Sequence, residues 1–341
     1  MVDGPDPIPR STKVSGWVRV LSWGYSAILV GLAALMRVWG DRWWPATLLM
    51  FGPRWVWWAP LCLLYPLAVG LRARALLPLG LASVLVVGPI MGFCLPWQGV
   101  LPANGGGRRP LRIVSCNVKW GAMVPGALAD VLSGAGPDVV ALQGWSSQDD
   151  LPALLPGPGW HLSIQGELGL ASRYPIREAS SLGGRRLKGG GDVGRFTLET
   201  PEGSVVLFNL HLASPRDGLQ AVRDDPFGGA AELSKSIALR QEESRIASGW
   251  AAQAPGPVLL AGDFNMPPES AVYRRDWSQY TDAFGTAGFG TGYTWFSRYH
   301  GLRIDHILAG PGWHCLACWV GPDVGSDHRP LLAEWVRVGG A

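Results

Sequence analysis

Between Val20 and Met36 the chain reads VLSWGYSAILVGLAALM, 17 residues without a single charge. At 1.5 Å rise per residue, and with its flanking aromatics added, that run is about one bilayer crossing long, and a bilayer admits only helices or closed barrels. Trp55 to Leu71 and Leu76 to Trp97 repeat the pattern, so the sequence predicts an anchor of three transmembrane helices. Pro60 and Pro66 interrupt the middle run, and proline in lipid requires neighbours that re-satisfy the freed carbonyls. A cleaved signal peptide would end in small residues and lead into soluble sequence, whereas here more apolar runs follow. Buried core helices of a soluble protein are disfavoured because charges are almost absent from these stretches.

Basic residues near the ends of membrane spans stay on the cytoplasmic side. Arg10, Lys13 and Arg19 precede the first run, and Arg72 and Arg74 sit between the second and third. That pattern predicts a multi-pass protein of the plasma (inner) membrane with a cytoplasmic N-terminus, and it places everything after Trp97 outside the cytoplasm. Charge divides along the same line. Residues 1–107 carry a net +5 and residues 108–341 a net −2, which together give the +3 of the whole chain. The C-terminal part therefore lacks the basic excess of a protein that grips nucleic-acid backbones. Arg185, Arg186 and Lys188 form one local patch, read as a solvated Gly-rich loop.

Gln98 to Pro110 contains three consecutive glycines and two arginines, a linker composition. The expected organisation is thus an anchor over 1–97, a linker over 98–110 and a folded domain over 111–341. Within that domain, strand-like apolar runs recur at 111–118, 139–142, 168–172, 195–199, 205–212, 258–261, 304–309 and 331–336. Helical patterns cover 125–135 and 231–250. Strands outnumbering helices suggests packed sheets covered by helices. Five cysteines make no disulfide framework; Cys315 and Cys318 are expected as two half-buried strand cysteines, with a disulfide or a metal pair as alternatives.

Most of the domain's distinctive polar residues fall at the ends of these strands, where loops gather catalytic groups. Asn117 ends RIVSCN, His211 lies in LFNLHL, Asp263 and Asn265 in GDFN, Asp305 in RIDHIL, and Asp327 with His328 in GSDHRP. In the order Asn, His, Asp-x-Asn, Asp, Asp-His, these residues resemble the endonuclease/exonuclease/phosphatase superfamily over residues 111–338, and SRYPI at 172–176 adds to the likeness. The resemblance implies an α/β fold of the DNase I-like kind, a four-layered sandwich of two packed mixed β-sheets flanked by helices. It also implies hydrolysis of a phosphoester assisted by a divalent cation, magnesium or else manganese. On that resemblance Asn117 and Asp327 would hold the metal. Asp263 would orient or deprotonate the attacking water, steadied by Asn265. His328, held by Asp305, would serve the phosphoryl group, and His211 would be a second donor to the developing charge.

One position departs from the pattern. Where the family has a Gln-Glu pair whose glutamate binds the metal, this chain reads ALQGW, with Gly144 in place of the carboxylate. Removing a negative ligand from a hard-cation site weakens it. Asp327, Asn117 and waters could hold the metal alone, Glu167 could move in, or the domain could have become a binding or scaffold protein without turnover. The layout of an apolar N-terminus followed by this domain resembles bacterial membrane-anchored members of the superfamily, among them proteins associated with teicoplanin resistance. It implies a bilayer partner and a phosphoester substrate of the cell envelope, lipid-linked phosphates among the candidates, ahead of nucleic acid. A transporter is disfavoured by the lack of intramembrane acids and of a repeated half.

Overall fold

The structure, a computed structural model, describes residues 10–71, 73–97, 109–119, 123–145, 151–183 and 187–338. Arg72, Arg185, Arg186 and most of the expected linker lie outside the described residues.

Two six-stranded mixed sheets form the centre of the domain. The first runs β13 (Trp313–Val320), β14 (Leu331–Arg337), β1 (Leu111–Asn117), β2 (Val139–Gln143), β4 (Leu168–Ser172) and β3 (His161–Gln165). The second runs β5 (Ile176–Leu182), β6 (Asp192–Thr200), β7 (Gly203–His211), β8 (Val258–Asp263), β12 (Asp305–Ala309) and β9 (Thr281–Asp282). Side chains alternate across each strand, so the two faces of a strand enter different cores. Ile113, Ala141, Leu207 and Ala261 meet between the sheets. Val114, Cys116, Val140 and Leu142 turn instead to α5 (Pro125–Ala135) and α6 (Leu151–Leu154). Phe208, Leu210 and Leu260 turn to α8 (Gly229–Ala252) and α9 (Ala271–Trp277). The result is helix, sheet, sheet, helix, and burial on both faces explains why the central strands read as nearly continuous apolar runs. The remaining helices are α7 (Arg216–Asp224) beside α8 and α10 (Ala283–Ala287) against the inter-sheet core.

All five cysteines are free. Cys315 and Cys318 are fully rather than half buried. A bulge between Cys315 and Ala317 shifts the register of β13, so two side chains that would otherwise point to opposite faces both enter the inter-sheet core.

The N-terminal region differs from the sequence expectation. Among the described residues one helix, α1 (Arg10–Trp39), contains a segment long and apolar enough to cross a bilayer, Val14–Trp39. At 26 residues it is about 39 Å long. The middle predicted span breaks into a 3-10 turn at Arg54–Trp58 and α3 (Ala59–Gly70). The third becomes α4 (Leu76–Leu85) continued by a π-helical turn at Val86–Ile90. Neither reaches the roughly 20 residues that a crossing requires; prolines and the turn near Ala73 shorten them. Instead they lie along α1. Ser26 Oγ donates to Pro78 O at 2.8 Å and Arg37 Nη1 to Pro89 O at 3.1 Å, so α4 runs beside α1 in the same direction.

This helical cluster is joined to the sheets by buried charge. Arg54 donates to Glu269 Oε2 at 3.0 Å, and also to Ile90 O and to Met50 O. Burial pushes Glu269 up, but Arg54 and Arg303 outweigh it and hold its carboxyl below the usual range. Asp41, just beyond α1, takes Arg240 of α8 on one oxygen and Ser270 on the other. A short hairpin of β10 (Trp295–Phe296) and β11 (Gly301–Leu302) completes the joint: Leu302 and Ile304 enter the helical cluster, as does the half-buried Trp295, and His300 Nε2 meets Phe51 O at 2.9 Å.

Glu269→Ala strands Arg54 as an unpaired buried cation and should cost about 3–5 kcal/mol in denaturant unfolding. The double replacement Arg54→Met with Glu269→Leu should cost less than the single change. Equal losses would show that the pair is not the joint described.

Candidate functional site

Strand direction assembles the site before any side chain is considered. β1 and β2 are parallel, as are β7 and β8, so Asn117, His211 and Asp263 all emerge at strand C-terminal ends on one edge of the sandwich. β12 runs antiparallel to β8 in a register that sets Asp305 opposite Asp263, while His211 is the partner of Asp263 on the other side. Gly262 permits that approach. Its φ is +145°, and a Cβ there would lie 2.0 Å from Leu210 O, which is why a glycine precedes the aspartate in GDFN.

Asp263 is at the centre and is 1% exposed. Its Oδ1 accepts the backbone N–H of Asn265 at 2.8 Å, and its Oδ2 accepts Asn117 Nδ2 at 3.0 Å and Asn265 Nδ2 at 3.3 Å. Asn265 adopts φ +51°, a left-handed conformation that Asn tolerates better than most residues, and its amide also donates to Leu212 O. The Nε2 atoms of His211 and His328 lie 3.7 Å and 3.6 Å from Asp263 Oδ2. His328 Nδ1 is 2.8 Å from Asp305 Oδ2, which fixes the ring. Asp305 is itself placed by Thr294 Oγ1, acceptor of its N–H at 3.1 Å. Burial works against a charged His328, but the Asp305 and Asp263 carboxylates outweigh it and raise its pKa to about 9. Burial and Asp305 push Asp263 up, against the pull of His328 and His211.

All seven residues singled out from the sequence thus reach one pocket, with Asp327 on its open side. Two others come with them. Glu167 reaches the pocket, as the sequence reading allowed, yet it stands at the Nδ1 edge of His211, 2.5 Å away, and not beside Asp327. With Asp263 it raises the His211 pKa against the opposing effect of burial. Lys119 went unnoticed in the sequence, although a cation two residues after the strand-ending Asn was the available signal. Its Nζ is 2.7 Å from Asp327 Oδ2. Burial pushes Asp327 up, but Lys119 and His328 prevail and lower its pKa. Below the pocket, Gln143 donates to Asn209 Oδ1 at 2.7 Å and Asn209 donates to Leu142 O and Gly169 O, a buried polar tie between the sheets that also escaped the sequence reading.

Endonuclease/exonuclease/phosphatase proteins are in general dependent on a divalent metal, and Asp263, Asp305 and His328 here bring ligand-type atoms within 4.8 Å of one another. The donor chemistry fits such an ion poorly at either place. His328 already lies between the two aspartates as their cation. At Asn117 and Asp327, Gly144 supplies no carboxylate, Lys119 takes Asp327 Oδ2, and the backbone N–H of Lys119 takes Asn117 Oδ1 at 2.9 Å. Two buried carboxylate oxygens, Asp305 Oδ1 and Asp327 Oδ1, have no hydrogen-bond partner. Gly144 moreover has φ +64°, so a glutamate there would carry roughly 1–2 kcal/mol of left-handed strain.

The sequence profile of the endonuclease/exonuclease/phosphatase family matches residues 114–328. Solved structures with the same fold include D. rerio TDP2 complexed with a single-strand DNA product, at 17% identity and TM-score 0.51 over 66% of this chain and 98% of that one. A humanized D. rerio TDP2 is similar at 18% identity and TM-score 0.52 over 66% and 98%. An endonuclease/exonuclease/phosphatase from Bacteroides vulgatus is similar at 16% identity and TM-score 0.51 over 68% and 100%. No curated protein is significantly similar in sequence.

A raised histidine pKa stabilises the folded state fully below the unfolded value, near 6.5, and that contribution is lost as pH climbs through about 9. The melting temperature should therefore fall between pH 6.5 and 9, and Asp305→Asn should flatten the fall. An unchanged slope in the Asp305→Asn protein would contradict the His328 assignment.

Proposed function

The chain belongs to the endonuclease/exonuclease/phosphatase family, and from that membership we propose that it hydrolyses a phosphoester at the pocket around Asp263, beside a membrane in which α1 anchors it. The observation that carries this reading is the buried carboxylate of Asp263 between two imidazoles, with one of those imidazoles fixed by a second aspartate. Burial gives Asp263 a higher proton affinity than an exposed carboxylate, so it suits the proton of an attacking water. Asn117 and Asn265 orient it through three hydrogen bonds. His328, cationic through Asp305, presents Nε2 to a phosphoryl or leaving-group oxygen, and His211 supplies a second donor to the charge that develops. The resemblance implies magnesium or manganese at Asn117 and Asp327, where Lys119 takes one oxygen of each residue, and no step above depends on such an ion.

Membrane anchoring rests on α1 and on the apolar residues that the helical cluster leaves exposed, among them Trp17, Ile28, Leu63, Val69, Leu77 and Val84. Such a surface is at home in lipid and not in water. With Arg10, Lys13 and Arg19 held in the cytoplasm, a single crossing by α1 puts the domain outside, the same side that three crossings would. The β10–β11 hairpin links that cluster to the pocket: Phe296 N donates to Asp327 O at 2.8 Å, and Trp295 pairs with His328. A phosphoester presented at the membrane surface, such as a lipid-linked phosphate of the envelope, is the substrate this layout favours. The net −2 of residues 108–341 argues against a long polyanion.

Gly144 favours a second reading, a binding protein that retains the pocket without turnover. The full-length chain should release p-nitrophenol from its bis-ester of phosphate, and Asp263→Asn and His328→Ala should each slow the release by about 100-fold or more without altering the circular dichroism. A protein inert under every metal condition would leave the binding reading standing; active variants would dismiss the assigned roles.

A further inference from the structure

The cation position of this pocket is filled by the protein itself: we propose that the Lys119 ammonium, seated on Asp327, replaces the divalent metal and offers its positive charge to the phosphoryl group. The inference rests on the phosphoester reading for its catalytic consequence, but not for the occupancy of the position.

Four observations carry it. The lysine is aimed there by the backbone. Asn117 Oδ1 accepts the Lys119 N–H at 2.9 Å and folds the chain back on itself, while Lys119 takes a left-handed φ of +47° that few lysines adopt. Ser326 Oγ donates to Asn117 O at 2.8 Å, which fastens this turn to the loop bearing Asp327. The ammonium then closes the same two segments from the side-chain end, 2.7 Å from Asp327 Oδ2.

Second, apart from Asp327 Oδ1, the oxygens a metal would need at this position are otherwise engaged. The Asn117 carbonyl serves the turn, Asp327 Oδ2 serves Lys119, and the glutamate of the family pattern is Gly144. Third, basic groups already stand beside the carboxylates of the pocket. Asp263, Asp305, Glu167 and Asp327 face His211, His328, Lys119 and, 4.0 Å from Asp327 Oδ2, the guanidinium of Arg216. A dication entering beside Lys119 would meet a like charge at contact distance. Fourth, the Lys119 side chain is 41% exposed. One face of the ammonium therefore stays open to an incoming anion, with two of its three protons free of Asp327. No covalent step is assigned to Lys119; its contribution is electrostatic.

The test uses the full-length chain in detergent micelles, with Mn²⁺ as probe. Titration followed by electron paramagnetic resonance should show no saturable site in the unaltered protein at millimolar ion. Lys119→Met and Lys119→Gln, checked for folding by thermal melting, should gain Mn²⁺ binding that Asp327→Asn abolishes when added to either. In the bis-ester assay, the unaltered protein should keep its rate in EDTA, and Lys119→Met should lose at least tenfold under the same conditions. One equivalent of Mn²⁺ bound by the unaltered protein and lost in Asp327→Asn would overturn the proposal, as would a rate abolished by EDTA and restored by the ion. A chain that binds no Mn²⁺ and hydrolyses nothing would support the place given to Lys119 while removing the hydrolytic reading, so the two can fail separately.

Discussion

A carboxylate withdrawn from water must be met on every side, and Asp263 imposes that condition on both sheets at once. Its partners come from β1 through Asn117, from β7 through His211, from the turn after β8 through Asn265, and from the loop before β14 through His328. An unmet buried charge costs several kcal/mol, so the sheets cannot slide relative to one another without losing one of these contacts. The Gln143 and Asn209 amides repeat the constraint one layer down, where two apolar faces alone would set no register. Asp263 accordingly fixes the pairing of the two halves of the sandwich as well as the geometry of the pocket.

The open side of the pocket belongs to a different neighbourhood. Asp327 and His328 sit on a loop whose backbone pairs with Trp295 and Phe296, and the hairpin begun by those residues ends among the N-terminal helices. Arg329 lies over the Phe296 ring, 4.2 Å from its centroid, which stiffens the same contact. The site is thus rigid where the sheets hold it and continuous with the helical cluster where a substrate would enter.

Much of this was legible in the chain. The central strands announced themselves because they are buried on both faces, and the polar residues at their ends marked the edge on which they gather. The strands missed at the rims of the sheets, β3, β5 and β9, are edge strands; with one side open to solvent they carry mixed or polar sequences such as IREASSL at Ile176–Leu182. The fourth edge strand, β13, was marked in the sequence only by Cys315 and Cys318. The N-terminal apolar runs misled for the opposite reason. Hydropathy counts apolar residues but not the helix that holds them, and a run such as Trp55 to Leu71 looks alike whether it crosses lipid or breaks into short pieces against a neighbour. Lys119 was hidden because a lysine after a strand is ordinarily a solvated residue, and only the position of Asp327, 208 residues away, gives it another meaning.

The charged joint between helices and sheets bears on how the chain comes to be made. Asp41 emerges from the ribosome 199 residues ahead of Arg240 and 229 ahead of Ser270, and Arg54 precedes Glu269 by 215. Throughout that interval the helices have exposed unpaired charges at their domain end, and the nascent domain has nowhere to seat its own. Neither half can bury these groups alone, so both become dry together. Their pairing closes loops of 199 to 229 residues, contacts of the high sequence separation that slows folding.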